Sequence, residues 1–163
     1  MPPLHGLKVI RSNIHGYGVI ATRPYRTGEI LVYGDGIVYS ENDDFDDTYA
    51  LLLHYPKRKK EPHLLLDLTD QTRWINHSCD PNTEVDAYWD PETGAAQCWW
   101  VALRDIPVGE ELTYDYAFSP ELAEPCTCGS EFCRGVIVDE DLIHKVGKKL
   151  KPLVRQPTME RIA

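Results

Sequence analysis

Along the chain, apolar and polar residues alternate in short runs rather than recurring at helical spacing. Leu7–Ile10, Tyr17–Ala21, Ile30–Tyr33 and Ile37–Tyr39 read as strands, as do His63–Leu68, Thr83–Tyr88, Gln97–Leu103 and Glu111–Tyr116. Glycine-, proline- and aspartate-rich turns separate them, at 15–18, 26–28, 34–36, 90–94 and 107–109. Many short strands at close spacing predict a mostly-β domain. One helix is expected over Asp46–Tyr55. Its acids would sit at the positive end, and Tyr49, Leu52 and Leu53 would form an apolar stripe. A second is expected to start near Asp139 and end by Lys151, before Pro152, although Gly147 weakens it. The last ten residues read as loosely held.

The 163 residues suffice for one domain, and 42% apolar with 26% charged residues is an ordinary globular composition. No apolar run is long enough for a membrane span, and MPPLHGLKVI lacks the apolar stretch of a secretory leader. The net charge of −9 is uneven. Residues 141–163 carry six basic groups (Lys145, Lys148, Lys149, Lys151, Arg155, Arg161) against Asp141 and Glu160, which leaves −13 on residues 1–140. An acidic body disfavours direct nucleic-acid binding and suits a basic partner; equally, it keeps a protein soluble.

Three segments concentrate chemistry. Cys126, Cys128 and Cys133 follow a C-x-C-x4-C spacing, with Gly129 allowing a tight turn. Three thiols so close suit a tetrahedral zinc ion, and reduced thiols fit an intracellular setting. Cys79, Cys98, His77 and His144 are the candidates for a fourth ligand. Cys98 sits in an apolar strand pattern beside Trp99 and Trp100, whereas Cys79 lies in a polar turn and is the better choice. Arg73–Asn82 is dense in residues that cap and turn the backbone, and alone it reads as a turn as readily as a site. Tyr114 and Tyr116, two apart on a strand, would share one face.

The order of these segments resembles the SET-domain protein-lysine methyltransferases with a post-SET zinc segment. Arg73–Asn82 looks like that family's R-F-x-N-H-S-C-x-P-N motif, with Trp74 in place of Phe. Glu111–Tyr116 is similar to its E-L-x-F/Y-D-Y motif, Cys126–Gly135 to its C-x-C-G-x-x-x-C-R-G cluster, and His15–Gly18 to its early glycine turn. The resemblance implies small curved sheets with a pseudoknot over residues 5–118, an insert at about 40–70, a zinc segment at 119–138 and a basic tail at 139–163. It implies methyl transfer from S-adenosylmethionine, leaving S-adenosylhomocysteine, to a lysine ε-amine of a basic protein such as a histone tail. By position, Tyr116 matches the catalytic tyrosine, Tyr33 a channel aromatic, and Tyr114 the Phe/Tyr switch position, where tyrosine favours mono- or dimethylation. His15, Gly16, Tyr17, Gly18, Asn76 and His77 match cofactor positions, and Tyr49 and Thr127 more variable ones. Cys79, Cys126, Cys128 and Cys133 match the structural Zn2+ ligands.

Two further expectations concern charge. The run Glu41, Asp43, Asp44, Asp46 and Asp47 would contact basic residues flanking the target lysine, or else form a solvated loop and cap. The tail from Lys145 to Arg155 would fold back over the acidic body rather than touch nucleic acid. Lys57, Lys59 and Lys60 offer sites for automethylation. A binding module that only grips a basic peptide, or a zinc-clipped scaffold, are the alternative functions. The expected location is intracellular: cytoplasmic in a bacterial host, nuclear if the protein acts on chromatin.

Overall fold

A computed structural model describes residues 5–155. The strands are β1 (Leu7–Arg11), β2 (Tyr17–Ala21), β3 (Ile30–Gly34), β4 (Gly36–Ser40), β5 (Ala50–Leu53) and β6 (Leu64–Leu68), followed by β7 (Asn76–His77), β8 (Thr83–Asp90), β9 (Ala95–Ala102), β10 (Thr113–Tyr114), β11 (Glu124–Pro125) and β12 (Val136–Ile137). They form the antiparallel sheets β1-β2, β3-β9-β8, β4-β6-β5 and β11-β12, and one parallel pair, β10-β7. The mostly-β reading holds. The short strands share one core around Trp100, Tyr25, Ile75, Leu112 and Val19, each at most 1% exposed. Full burial of such a side chain is worth roughly 1.5–3 kcal/mol. That compensates for sheets too small to stand alone.

Both helix expectations need correction. Residues 46–48 form a turn in which Asp46 accepts from the Thr48 N–H, and Ala50–Leu53 is a strand paired with β6. Its burial alternates: Leu51 and Leu53 are buried and Leu52 is exposed, so the period is 2 rather than 3.6. Pairing with β6 overrides a local pattern that short apolar runs leave ambiguous. At the C-terminal end a turn does start at Asp139, whose side chain caps the Asp141 N–H, but the result is a 3₁₀ turn, Glu140–Lys145. Extended Val146, buried in a second small core with Val136 and Val138, stops it. A further 3₁₀ turn, Lys151–Leu153, contains Pro152 rather than ending before it. The tail folds back through its backbone: the Arg155 N–H donates to the Arg134 carbonyl. Gly135, at φ +80°, must be glycine here, since a Cβ would lie 1.8 Å from the Leu153 carbonyl oxygen. Among the described residues, no salt bridge ties the tail lysines to the acidic body. Most of the loosely held stretch lies outside the described residues.

One crossing positions the site. Residues 109–112 exchange backbone hydrogen bonds with Val19 and Ala21 of β2. On the other side, β10 pairs with β7, and Asn82 and Thr83 bond to Thr113. The segment is thus held between β2 and residues 76–83. Only Thr113–Tyr114 of the expected strand Glu111–Tyr116 is paired in a sheet; Glu111 bridges to Ile20.

Candidate active site

The β7–β10 pair sets Tyr114 beside His77 and Thr113 beside Asn76. Successive strand residues face opposite ways. Tyr114 lines a narrow cavity of ≈40 Å³ with Tyr49, Leu68, Arg73, Tyr116 and Phe118. Thr113 lines an open polar cleft of ≈390 Å³ that also includes Ile14, Ser78, Glu111, Cys128 and Phe132.

The aromatic cavity is tightly built. The Tyr116 ring is 4.7 Å from Tyr114, 5.4 Å from His77 and 5.5 Å from Phe118, centroid to centroid. Its hydroxyl donates to the Ile75 carbonyl at 2.8 Å. Tyr114 packs edge-on against Trp100, 5.8 Å away. Burial pushes both phenols above the ordinary tyrosine range, so both stay protonated at neutral pH. Immediately after Tyr116, Ala117 adopts φ +46°, a left-handed conformation uncommon outside glycine. Its N–H is taken up by the Asp115 carboxylate.

His77 fixes Tyr116 from behind. Its Nδ1 accepts the Tyr116 N–H at 3.1 Å, which assigns the ring proton to Nε2, 3.3 Å from Cys79 Sγ. Burial lowers its pKa to about 4, so the ring is neutral. The Asn76 side-chain amide lies within 3.1 Å of Ser12 Oγ, the His15 and Tyr17 carbonyls and Glu111 Oε1. It therefore pins the His15–Gly18 turn against β10. A Cβ at Gly18 would stand 2.2 Å from Glu111 Oε1, so any side chain there would displace the carboxylate that Asn76 and Ser12 hold. Tyr17 and Tyr49 flank Trp74 at 5.3 and 5.4 Å, and the Arg73 guanidinium lies 4.3 Å over Tyr49.

The residues singled out in the sequence fall into three groups. Tyr114, Tyr116, Tyr49, His77, Asn76 and the 15–18 turn come together. Thr127 is exposed between Cys126 and Cys128. Tyr33 is 63% exposed and lies 6.2 Å from Trp99, not in contact with the Tyr114–Tyr116 pair. Ser12, Arg73, Glu111 and Phe118 complete the site without having been assigned a role from sequence. Arg73 and Glu111 open two of the recognised motifs, whereas Ser12 and Phe118 carry no local signal. Of the acidic run, Glu41, Asp43 and Asp46 accept hydrogen bonds from nearby backbone N–H groups. That favours the capping alternative for Asp43 and Asp46, whereas Glu41 reaches across to His63.

The ligand sulfurs of Cys79, Cys126, Cys128 and Cys133 all lie within 4.8 Å of one another. Thiolates about 2.3 Å from a shared tetrahedral ion stand about 3.8 Å apart, and Cys79 and Cys126 Sγ are 3.8 Å apart. The donor set fits zinc. Cys98 is instead buried in the main core, where desolvation raises its thiol to about 11. His144 is exposed on its 3₁₀ turn, and His77 Nδ1 is occupied by Tyr116.

A SET-domain profile matches residues 16–117. The chain belongs to the SET-domain family. It is 37% identical, over 77% of its length, to "Histone-lysine N-methyltransferase trithorax" of Drosophila virilis. It is 33% identical over 75% to "Histone-lysine N-methyltransferase ash1" of Drosophila melanogaster, and 36% identical over 77% to "Histone-lysine N-methyltransferase 2B" of Homo sapiens. It spans 3%, 6% and 5% of those proteins, respectively. The SET profile covers the crossing, the Asn76–His77 segment and Tyr116, while three of the four clustered cysteines lie beyond it.

Proposed function

We propose that this SET domain transfers a methyl group from S-adenosylmethionine to the ε-amine of a lysine in a basic protein, with a histone tail as the leading substrate class. The observation that carries this is Tyr116: a partly buried, protonated phenol, hydrogen-bonded to Ile75, at the wall of a small aromatic cavity of ≈40 Å³. Membership in the family and relatives named as histone-lysine methyltransferases support it, and they favour a nuclear location.

The polar cleft fits the cofactor. It is bracketed by Ile14, Ser78 and Cys128, the neighbours of His15, His77 and Thr127, and Glu111 gives it an anionic wall suited to a cation. In this reading Gly16, Tyr17, Gly18 and Asn76 support the cleft from behind its lining through the Asn76 contacts to the 15–18 turn and Glu111, whereas Tyr49 lines the aromatic cavity. When bound, S-adenosylmethionine supplies an electrophilic methyl on a sulfonium. The chain's residues do the rest. A lysine free in water has a pKa of about 10.4; the buried aromatic cavity disfavours its ammonium form. The Tyr116 oxygen, its proton committed to Ile75, can accept a hydrogen bond from the neutral amine and aim its lone pair. Tyr114, wedged on Trp100, narrows the space available to added methyl groups, which favours mono- or dimethyl product. Cys79, Cys126, Cys128 and Cys133 would hold a structural zinc ion, which would pin the C-terminal segment beside His77.

The test is incubation with labelled cofactor against core histones, a lysate and the chain alone, with mapping of labelled lysines. Label on a histone lysine supports the proposal. Label on Lys57, Lys59 or Lys60 alone would reduce it to automethylation, and no label anywhere would refute it.

A further inference from the structure

The sheet that carries Trp100 on its inner side presents an unpartnered outer face. In register across β3, β9 and β8 stand Tyr33–Trp99–Asp86 and Ile30–Val101–Glu84. Residues directly opposite one another share a face, so aromatic and acidic side chains meet here. Tyr88 stacks on Trp99 at 5.7 Å and is 47% exposed; Tyr33 is 63% exposed and Ile30 41%. Large apolar groups left in water on adjoining strands mark an interaction surface.

The acids identify the occupant. Asp43 and Asp46 cap local backbone and Glu41 accepts from the His63 N–H, but among the described residues neither Glu84 nor Asp86 accepts a hydrogen bond or joins an ion pair. Aspartate is also a poor strand former, yet Asp86 sits mid-strand directly across from Trp99. Carboxylates alternating with exposed aromatic rings match one chemistry well: lysine and arginine side chains, whose cations lie on ring faces and whose charge pairs with the acids. The −13 of residues 1–140 adds long-range attraction.

We propose that this face, centred on Trp99, Tyr88, Asp86 and Glu84, docks a basic segment of the protein substrate away from the reacting lysine. The assignment of the segment to the substrate rests on the methyl-transfer reading; the basic character of the ligand does not. Tyr33 begins the face, and its chain neighbour Gly34 lies against Trp100, which touches Tyr114. The docking face thus adjoins the aromatic cavity through one strand.

The test is fluorescence anisotropy with two labelled probes, a histone H3 N-terminal peptide and an oligolysine peptide. The proteins are the native chain, the double variant Glu84→Gln/Asp86→Asn, and Tyr88→Ser. All three substitutions are at partly or fully exposed sites, and cofactor binding should be unchanged. The double variant should weaken probe binding about tenfold, equivalent to about 1.4 kcal/mol, and Tyr88→Ser about fivefold. The charge-dependent part should vanish in high salt. Affinities within twofold of native in both variants, or failure of the native chain to bind either basic probe, would overturn the proposal. So would a dimer in sedimentation that Tyr88→Ser dissociates, since a second copy would then own the face. Binding that depends on the face, without any methyl transfer, would leave docking intact and remove the catalytic reading.

Discussion

Replacing Arg134 should uncouple the zinc segment from the catalytic strand. Its guanidinium, 4% exposed, forks onto both oxygens of Asp115 at 2.8 Å and also donates to the Val138 carbonyl at 3.0 Å. Asp115 stands between Tyr114 and Tyr116, and the Arg134 N–H lies 3.4 Å from Cys79 Sγ. The side chain therefore ties the second small core to the loop that carries Tyr116, while the backbone N–H of the same residue reaches the cysteine cluster. Removing one partner of a buried pair costs about 3–5 kcal/mol. Asp115 is 29% exposed and recovers some solvation, so about 3 kcal/mol is expected for Arg134→Ala. For a domain of this size that corresponds to a fall in Tm of about 6–12 °C. Arg134→Lys keeps the charge but loses the fork, and should cost about half as much. The assay is thermal unfolding with zinc held in excess, alongside zinc content and kcat at saturating cofactor. We expect retained zinc, lowered Tm and kcat reduced about tenfold in Arg134→Ala, which is about 1.4 kcal/mol of barrier. A Tm within 2 °C of native, with unchanged kcat, would refute the reasoning.

Further outcomes follow from the same geometry. Chelation, or Cys79→Ser, should release residues 119–155 to rapid amide exchange while the β3-β9-β8 sheet stays protected; uniform exchange throughout would deny the clip a local role. The raised phenols of Tyr114 and Tyr116 bind their protons more tightly folded than unfolded, so their stabilising contribution is complete below about pH 10 and is lost as pH rises above it. Absorbance titration should show four of the nine tyrosines ionising late, Tyr25 and Tyr55 as well as Tyr114 and Tyr116, and kcat should show no tyrosine-linked fall below about pH 10; an earlier fall would contradict the assigned burial. Tyr114→Phe should shift product toward higher methylation, read by mass spectrometry, and an unchanged distribution would remove Tyr114 from that role.

Much of this was legible in the sequence, for physical reasons that differ by element. Period-2 runs such as Gln97–Leu103 became strands because one face of each had to be buried, a requirement carried in the local pattern. Asp46–Tyr55 misled because three leucines in a row satisfy both periods, and only the partner strand β6 decides between them. Cys79 was separable from Cys98 by the polarity of its neighbours alone. The crossing at 109–116 followed only from family resemblance, since nothing local announces that a segment passes between two others. Ser12 at Glu111, 99 positions apart, and Arg134 at Asp115 are tertiary facts with no local trace. Tyr33 shows the converse limit: a motif supplies a position, while its exposed place beside Trp99 comes from the fold.

The central claim is that the Tyr116 hydroxyl orients a neutral amine in the aromatic cavity. The most direct measurement is Tyr116→Phe, with cofactor affinity by calorimetry and methyl transfer to a lysine peptide on the same preparation. The account predicts native-like cofactor affinity with kcat lowered at least a hundredfold. Equal turnover by the two proteins would contradict it.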